Sequence, residues 1–226
     1  MPIAMPEVST LPPLSLSTAQ LLIEAAAILA FALSGLLESA RKRLDIVGVC
    51  VVVGLAAFGG GTLRDILLDR RPFFWVSHSS WLWVLLGLSL LSMYFMRGRH
   101  FEPTERAIQW PDAIGLGLFT AGGTQIALAA SMPPIVAVLM GMITAVFGGV
   151  LRDIVCNEIP SAFSDHRPYA VCAFIGGWCV VLANSLGWQD WVGLVLGAGI
   201  TFSLRGLAPG ETSRGPENAS GMAMLV

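Results

Sequence analysis

The sequence predicts an all-α polytopic membrane protein with seven transmembrane helices, arranged as two inverted three-helix repeats plus a seventh helix. Composition is the first observation: 55% of the 226 residues are hydrophobic and 12% are charged, whereas about 25% of a soluble domain is charged. The second is a set of apolar stretches of membrane-spanning length, and the third is an internal duplication. The net charge of −2 and the scattered Lys and Arg residues indicate no nucleic-acid partner.

Seven apolar stretches each have about the 18 to 25 residues that cross the hydrocarbon core as a helix. They cover residues 17–38, 46–68, 80–97, 110–131, 134–156, 168–186 and 189–206. The transmembrane domain is therefore predicted to occupy residues 17–206. Residues 1–16 are predicted to form an exposed lead-in, and residues 207–226 a polar, Gly/Ser/Pro-rich tail that we expect to be poorly ordered.

Two stretches of the chain repeat each other at a constant offset of 88 residues. Phe58–Ile66 reads Phe-Gly-Gly-Gly-Thr-Leu-Arg-Asp-Ile, and Val146–Ile154 reads Val-Phe-Gly-Gly-Val-Leu-Arg-Asp-Ile. Each repeat holds three spans, at about residues 17–97 and 110–186, so the second repeat enters the membrane from the opposite side. Inverted repeats place ion or substrate sites at the repeat interface, often in broken helices. The seventh span, at residues 189–206, has no counterpart.

Lys and Arg residues between the spans predict the orientation, because cytoplasmic loops carry an excess of them. With the N-terminus outside, ten fall on the inner side and only three, Arg64, Arg70 and Arg71, on the outer side. We therefore expect a multi-pass protein of the cell inner (plasma) membrane, with its N-terminus outside and its C-terminus in the cytoplasm.

Glycines interrupt the second and fifth spans. Gly59, Gly60 and Gly61 are adjacent, and Gly148 and Gly149 repeat two of them, although each glycine in a helix interior costs about 0.5–1 kcal/mol relative to Ala. Three adjacent glycines occupy three helix faces, which favours a kink. Carbonyls freed there would face the bundle interior and could replace part of a cation's hydration shell. The alternative is that small residues only let helices pack closely.

An Arg-Asp pair follows each set of glycines. Arg64 and Asp65 lie within about one helical turn of the first set, and Arg152 and Asp153 repeat them. Ionisable residues inside spans usually pair with one another, face the bundle interior or mark an ion route. The alternative is that both pairs snorkel to the membrane interface at the helix ends.

Two more carboxylates, Glu24 and Asp112, are also 88 positions apart. Each lies near the start of the first span of its repeat, and Glu24 is predicted to be the more deeply placed. Both are candidates for a pore or proton-relay role. For Asp112 the alternative is stabilisation of a helix N-terminus after Pro111.

Enzymatic signatures are absent from the sequence. The run Gly59-Gly60-Gly61-Thr62 is followed by no Gly-Lys-Ser/Thr and is therefore not a P-loop, and no HExxH or GxSxG motif is present. We expect no enzymatic activity, no catalytic residue, no bound metal site and no cofactor.

The chain resembles the prokaryotic branch of the TRIC family, the trimeric intracellular cation channels. The resemblance rests on the doubled apolar-Gly-Gly-x-x-Arg-Asp motif, on Phe31-Ala-Leu-Ser-Gly35 and on Asp112-Ala-Ile-Gly-Leu-Gly-Leu-Phe119, and it covers about residues 17–206. It implies a homotrimer in which each protomer has its own pore for K⁺ and, less selectively, Na⁺. It also implies that the second and fifth helices line this pore and are kinked at their glycines, with the Arg-Asp pairs beside the kinks.

The sequence departs from this family pattern in two motifs, at three positions. The animal channels have a Lys-Glu-Gly-Gly-Gly motif linked to phosphoinositide binding, whereas Ala57 and Phe58 precede Gly59 here, so dependence on that lipid is not supported. Membrane lipids remain the expected surroundings and candidate ligands. Phe147 stands where a third glycine would complete the second repeat, so we expect the two halves of the pore to differ.

Three functions are compatible with the sequence. The first is passive conduction of monovalent cations, in which Phe58 or Phe147 could close the path by dewetting. The second is a secondary transporter for a small zwitterion such as an amino acid, since broken inverted repeats also build transporters and an Arg can bind a carboxylate bidentately. The third is a non-transporting scaffold whose glycines only pack the trimer.

Overall fold

The structure, a computed structural model, describes residues 18–97, 103–164 and 169–207. Within these ranges the chain forms nine helices and no strand, which confirms the predicted all-helical class. They are α1 (Thr18–Arg41), α2 (Ile46–Leu67), α3 (Phe74–Ser77), α4 (Ser80–Arg97), α5 (Glu105–Ala129), α6 (Pro134–Val155), α7 (Ser161–Ser164), α8 (Tyr169–Ser185) and α9 (Asp190–Leu207). The predicted lead-in, and the predicted tail beyond Leu207, lie outside the described residues.

Seven long helices correspond to the seven predicted spans, and the two four-residue helices α3 and α7 were not predicted. The largest difference is at α5, which begins at Glu105 rather than at residue 110. The hydroxyl of Thr104 accepts a hydrogen bond from the Ala107 amide, so a capped polar turn precedes the apolar run and Pro111 lies inside the helix.

Three of the described helices, α1, α2 and α6, are long and apolar enough to cross a membrane by length and composition. Two shorter apolar stretches, Ser80–Ser92 in α4 and all of α8, fall below that length. The number of seven membrane crossings therefore stays a prediction.

The first helices of the two repeats, α1 and α5, run antiparallel against each other. Ser34, late in α1, donates a hydrogen bond to the carbonyl of Ile108, early in α5, at 3.4 Å. Phe31 and Phe119, which are equivalent under the 88-residue offset, stack with their ring centroids 5.5 Å apart. Two equivalent residues that contact each other lie next to the pseudo-two-fold axis that relates the repeats. The predicted inversion is thus visible in the packing.

Helices α2 and α6 cross where their glycines meet. A Cβ on Gly60 would lie 1.9 Å from the carbonyl oxygen of Thr144, and a Cβ on Gly148 would lie 2.4 Å from that of Ala56. The two contacts are equivalent, because Gly60 and Gly148, and likewise Ala56 and Thr144, are 88 residues apart. Side chains larger than hydrogen would therefore force the two helices apart at both points.

The glycines do not interrupt either helix. Both α2 and α6 are α-helical through their glycine positions, so the unwound segment with freed carbonyls expected from the sequence is wrong. Close helix packing, the alternative interpretation, describes Gly60 and Gly148. A bend of the helix axis at these positions stays a prediction.

The unpaired helix α9 braces the bundle from one side. It packs on α5, where a Cβ on Gly117 would lie 2.6 Å from the carbonyl oxygen of Ala198, and on α8, where a Cβ on Gly176 would lie 1.8 Å from the hydroxyl of Thr201. The core of the protein therefore lies among α1, α2, α5 and α6, where the two repeats meet.

The crossing predicts that Gly60→Ala destabilises the protein by about 1–3 kcal/mol, the cost of overpacking a close contact. Gly54→Ala is the matched control in the same helix, because a Cβ there meets nothing within 4 Å. Thermal unfolding of the purified protein in detergent measures both, and about 2–4 °C is expected per kcal/mol for a chain of this size. Equal midpoints for the two variants would contradict the crossing.

Candidate functional site

The first buried charge cluster joins α1 to α2 and consists of Glu24, Arg64 and Asp65. Arg64 is 1% exposed. Its Nη2 donates to Oε1 of Glu24 at 2.7 Å and its Nε donates to Oδ1 of Asp65 at 2.9 Å. Arg70, in the loop after α2, reaches the same Asp65 oxygen at 3.4 Å, and its burial lowers the pKa of its guanidinium. We refer to Glu24, Arg64 and Asp65 as the first cluster.

The second cluster repeats this arrangement between α5 and α6, with Asp112, Arg152 and Asp153. Arg152 donates through Nη1 to Oδ1 of Asp112 at 2.7 Å and through Nε to Oδ1 of Asp153 at 2.8 Å. Its Nη1 also donates to the hydroxyl of Ser34 in α1. The three charged residues are buried, and they and their first-cluster equivalents keep the same pairing pattern.

Burial and pairing decide between the two interpretations of the Arg-Asp motifs. Removing a guanidinium from water costs several kcal/mol, which is repaid only by close opposite charges and hydrogen bonds. Arg64 and Arg152 each meet two carboxylates inside the bundle. The snorkelling alternative is therefore wrong. Stabilisation of a helix N-terminus, the alternative for Asp112, does not account for its ion pair with Arg152.

The two clusters lie at opposite ends of the bundle, on either side of the Phe31–Phe119 stack. Because α1 and α5 are antiparallel, Glu24 and Asp112, each early in its helix, are at opposite ends. Phe119 lines the same cavity as Glu24, whereas a Cβ on Gly149, beside Asp112, would lie 3.8 Å from Phe31. Each ring of the stack thus faces one cluster.

All the carboxylate oxygens of the second cluster have hydrogen-bond donors. Tyr169, at the start of α8, donates its hydroxyl to Oδ2 of Asp112 at 2.8 Å. Ser161, in α7, donates its amide and its hydroxyl to Oδ2 of Asp153 at 2.9 and 3.2 Å. The guanidinium of Arg205 from α9 lies over the Tyr169 ring, 4.7 Å from its centroid. The second cluster is therefore closed on the side of α7, α8 and α9.

The first cluster is less complete. Oε2 of Glu24 is buried and has no hydrogen-bond partner among the described residues. A cavity of about 10 Å³ lies beside it, lined by residues that include Phe58, Gly61, Thr62 and Trp75. The two clusters therefore differ in their polar partners, whereas the predicted difference between two halves of a pore stays a prediction.

The structure sorts the residues predicted for the site. The two Arg-Asp pairs, Glu24 and Asp112 form the clusters, Phe58 and Gly61 line the cavity, and Gly60 and Gly148 make the helix crossing. Gly59 packs against Leu151, and Phe147 is partly exposed.

Sequence reasoning missed the polar partners of the clusters. These are Ser34, Ser161 and Tyr169 at the second cluster. Also missed was Thr62, which lines the cavity beside Glu24 and whose hydroxyl accepts a hydrogen bond from Trp75 at 3.1 Å. Phe31 and Phe119 stand out in the sequence only as members of the two stretches that carry the family resemblance. Their mutual equivalence is the signal that could have placed them together at the repeat interface.

A surface network lies at the end of α1 beyond the second cluster. Arg41 pairs with Glu38 at 2.9 Å and with Glu105 of α5 at 3.2 Å, and Lys42 pairs with Glu158 after α6. The hydrogen bond and charge of Lys42 lower the pKa of the Glu158 carboxyl. The network therefore connects α1 of the first repeat to α5 and to the loop after α6 of the second repeat.

The fold and its paired clusters define an inverted-repeat, all-helical membrane protein, a class that includes channels and secondary transporters. A family model described as glycine transporter matches residues 21–97 and 109–185, which confirms the two repeats and their offset. The UPF0126 membrane protein of Vibrio cholerae is 35% identical over 179 residues, 77% of this chain and 72% of that protein. The UPF0126 inner membrane protein YadS of Escherichia coli is 39% identical over 151 residues, 65% of this chain and 70% of that protein.

Solved structures narrow the class. The TRIC trimeric intracellular cation channel orthologue from Rhodobacter sphaeroides superposes with a TM-score of 0.77 at 31% identity, covering 84% of this chain and 96% of that one. A prokaryotic TRIC channel in 0.5 M KCl gives a TM-score of 0.76 at 30% identity, covering 83% and 94%. The chain belongs to the prokaryotic TRIC channel family, as the resemblance of its motifs predicted. These structural neighbours are channels rather than enzymes.

The completed second cluster predicts energetic coupling between Tyr169 and Asp112. In a double-mutant cycle of Tyr169→Phe and Asp112→Asn, we expect a coupling of about 0.5–3 kcal/mol in unfolding free energy, because the two side chains share one buried hydrogen bond. Urea or thermal unfolding in detergent measures it. The control cycle pairs Tyr169→Phe with Glu24→Gln at the other end of the bundle and should be additive within about 0.5 kcal/mol. Additivity in both cycles would mean that the Tyr169 bond contributes nothing.

Proposed function

We propose that the protein is a channel that conducts monovalent cations, K⁺ and less selectively Na⁺, through a path inside each protomer of a homotrimer. The observation that carries the proposal is the pair of buried carboxylate-rich clusters, one at each end of the repeat interface, in a chain of the TRIC family. Its structural neighbours include a trimeric intracellular cation channel orthologue and a TRIC channel whose structure explains conductance, and these support this choice.

The charges of the clusters favour a cation. Each cluster contains two carboxylates and one buried guanidinium, a net charge of −1 apart from Arg70 at the margin of the first cluster. A permeant ion must be attracted strongly enough to enter and weakly enough to leave. Carboxylates that are each partly neutralised by an arginine meet both requirements better than a cage of free carboxylates.

The proposed path runs from the cavity of the first cluster, past the Phe119 and Phe31 rings, to the second cluster. The stacked rings form an apolar constriction between two polar regions, which closes a path by excluding water. Phe58, which lines the cavity, is a second candidate for closure. The glycine crossing of α2 and α6 would let these helices bend or separate, since Gly60 and Gly148 have no side chains to interlock there.

We place the protein in the cell inner membrane, surrounded by lipid, with its N-terminus outside. Arg64, Arg152 and Arg205 are buried in the bundle and do not lie in loops. Without them the remaining Lys and Arg residues still favour the same orientation. The name of the relative YadS, an inner membrane protein, agrees with this placement.

A second candidate is a carrier for glycine or another small zwitterion. The matching family model is described as glycine transporter, and an arginine can bind a substrate carboxylate. Both buried arginines already bind two protein carboxylates each, which leaves this candidate with less support than conduction.

The proposal predicts unitary currents from the purified protein in a planar bilayer under a KCl gradient, reversing near the K⁺ equilibrium potential. We expect Asp65→Asn to lower the conductance by up to about tenfold, because local field raises the cation concentration in a cleft by at least that factor. Asp69→Asn is the matched control, since Asp69 is an exposed carboxylate in the loop after α2.

Two other results would change the assignment. Currents of equal size in the Asp65 and Asp69 variants would place the conducting path elsewhere. A folded, inserted protein that is silent at all voltages, but exchanges labelled glycine in a counterflow assay, would establish the carrier instead.

The ring stack predicts that Phe119→Ala increases the open fraction by about tenfold, the effect of losing about 1.4 kcal/mol that favours the closed path. Phe119→Leu keeps an apolar side chain and should give a smaller change. Phe202→Ala in α9, which removes a ring that contacts Trp110, is the control. The open fraction is measured in the same bilayer recordings, and no difference between Phe119→Ala and Phe202→Ala would exclude the stack as the constriction.

A further inference from the structure

Glu24 has a carboxylate oxygen that the protein leaves without a partner. The residue is 4% exposed, and Arg64 occupies only its Oε1. Oε2 is buried without a hydrogen bond from any described residue. A buried acceptor left unsatisfied costs about 1–3 kcal/mol, and more when it is charged. Oxygens of this kind are usually met by a ligand, an ion or ordered water.

Comparison with the second repeat shows which donor is missing. Asp112 is the equivalent of Glu24, and its second oxygen accepts the hydroxyl of Tyr169. The residue equivalent to Tyr169 in the first repeat is Trp81, which has no hydroxyl. The first repeat therefore keeps the acid and the arginine but lacks the donor that completes the second cluster.

The same comparison shows where space is left. A Cβ on Gly61 would meet its nearest atoms only at 3.9 and 4.0 Å, on Arg64 and Glu24, whereas a Cβ on the equivalent Gly149 would lie 3.3 Å from the Tyr169 hydroxyl. The cavity beside Glu24 has a volume of about 10 Å³, room for one particle the size of a water molecule.

We infer that this cavity binds one dehydrated or partly dehydrated monovalent cation, with Oε2 of Glu24 as the anionic ligand. Thr62 and Asp65 line the same cavity and can offer further oxygens. Arg64 and Arg70 both pair with Asp65, and Arg64 takes only Oε1 of Glu24. Oε2 of Glu24 is therefore a buried carboxylate oxygen that no described cationic side chain meets.

The inference rests on the proposed function, since it names a stopping point for the ion on the conducting path, but binding can be tested without any current. The full chain is purified in detergent, and its thermal midpoint is measured in KCl and in N-methylglucamine chloride of equal ionic strength. We expect K⁺ to raise the midpoint of the wild type by about 2–4 °C, since a ligand that binds only the folded state stabilises it. Crystals grown in RbCl should show an anomalous peak at Oε2 of Glu24.

Three variants make the test specific. Glu24→Gln removes the anionic ligand, and Gly61→Ala fills the cavity while keeping every charge and meeting no close contact; both should lose the K⁺ shift and the Rb⁺ peak. Asp69→Asn, which removes an exposed carboxylate in the loop after α2, is the control and should keep both. Gly61→Ala is the decisive variant if Glu24→Gln fails to fold.

The outcomes separate the inference from the proposed function. A K⁺ shift of the same size in Gly61→Ala and the wild type, or a cavity that contains only water in RbCl, overturns the inference even if the channel conducts. A K⁺-dependent rise in the thermal midpoint that is lost in Gly61→Ala, in a protein that carries no current in bilayers, supports the cation site and contradicts the proposed channel function.

Discussion

Each repeat is organised by one buried arginine that has to be paired. A guanidinium inside a bundle is tolerated only where opposite charges meet it at hydrogen-bond distance, and here the partners come from two places. One carboxylate is the next residue in the same helix, and the other comes from the first helix of the repeat. Arg64 therefore fixes how α1 lies on α2, and Arg152 fixes how α5 lies on α6. The position of each helix is constrained by charge as well as by apolar packing.

The two constrained pairs of helices are joined by contacts between equivalent residues. Phe31 stacks on Phe119, and the two glycine contacts of α2 with α6 exchange with each other. In such an interface the same residues of each repeat make both sides of the contact, so a duplicated unit can pack against its own inverted copy. The differences between the copies then accumulate where the constraint is weaker, at the polar partners of the clusters.

Those differences are small in sequence and large in chemistry. Tyr169, Ser34 and Ser161 give hydroxyl groups to the second cluster, and their equivalents in the other repeat are Trp81, Gly122 and Phe73. All three substitutions remove a hydroxyl from the first cluster. One end of the interface is thus locked to α7 and α8, while the other keeps an unpaired acceptor and a cavity.

Much of this arrangement could be predicted from the sequence, because it depends on spacing and composition. The seven long helices, the inverted repeats and the correspondence of Glu24 with Asp112 and of the two Arg-Asp pairs follow from hydropathy and the constant offset. The pairing of Glu24 with Arg64 and of Asp112 with Arg152 was not predicted. Glycine chemistry could not be resolved in the same way. A run of glycines permits both an unwound helix and a close crossing, and only the carbonyls of Thr144 and Ala56 on the facing helix decide between them. Tyr169 was equally hidden, since its partner lies 57 residues away and no motif marks it.

The locked and open ends suggest how a symmetric frame can serve a directional path. Two identical clusters would hold an ion equally at both ends of the interface, with no preference for where it rests. The hydroxyl and amide donors of the second cluster weaken its affinity for a cation, because its carboxylate oxygens already accept hydrogen bonds. Its negative charge still attracts a passing cation. In the channel proposed above, the incomplete cluster would be the place where an ion sheds water, and the aromatic stack between the ends would control when the ion moves on.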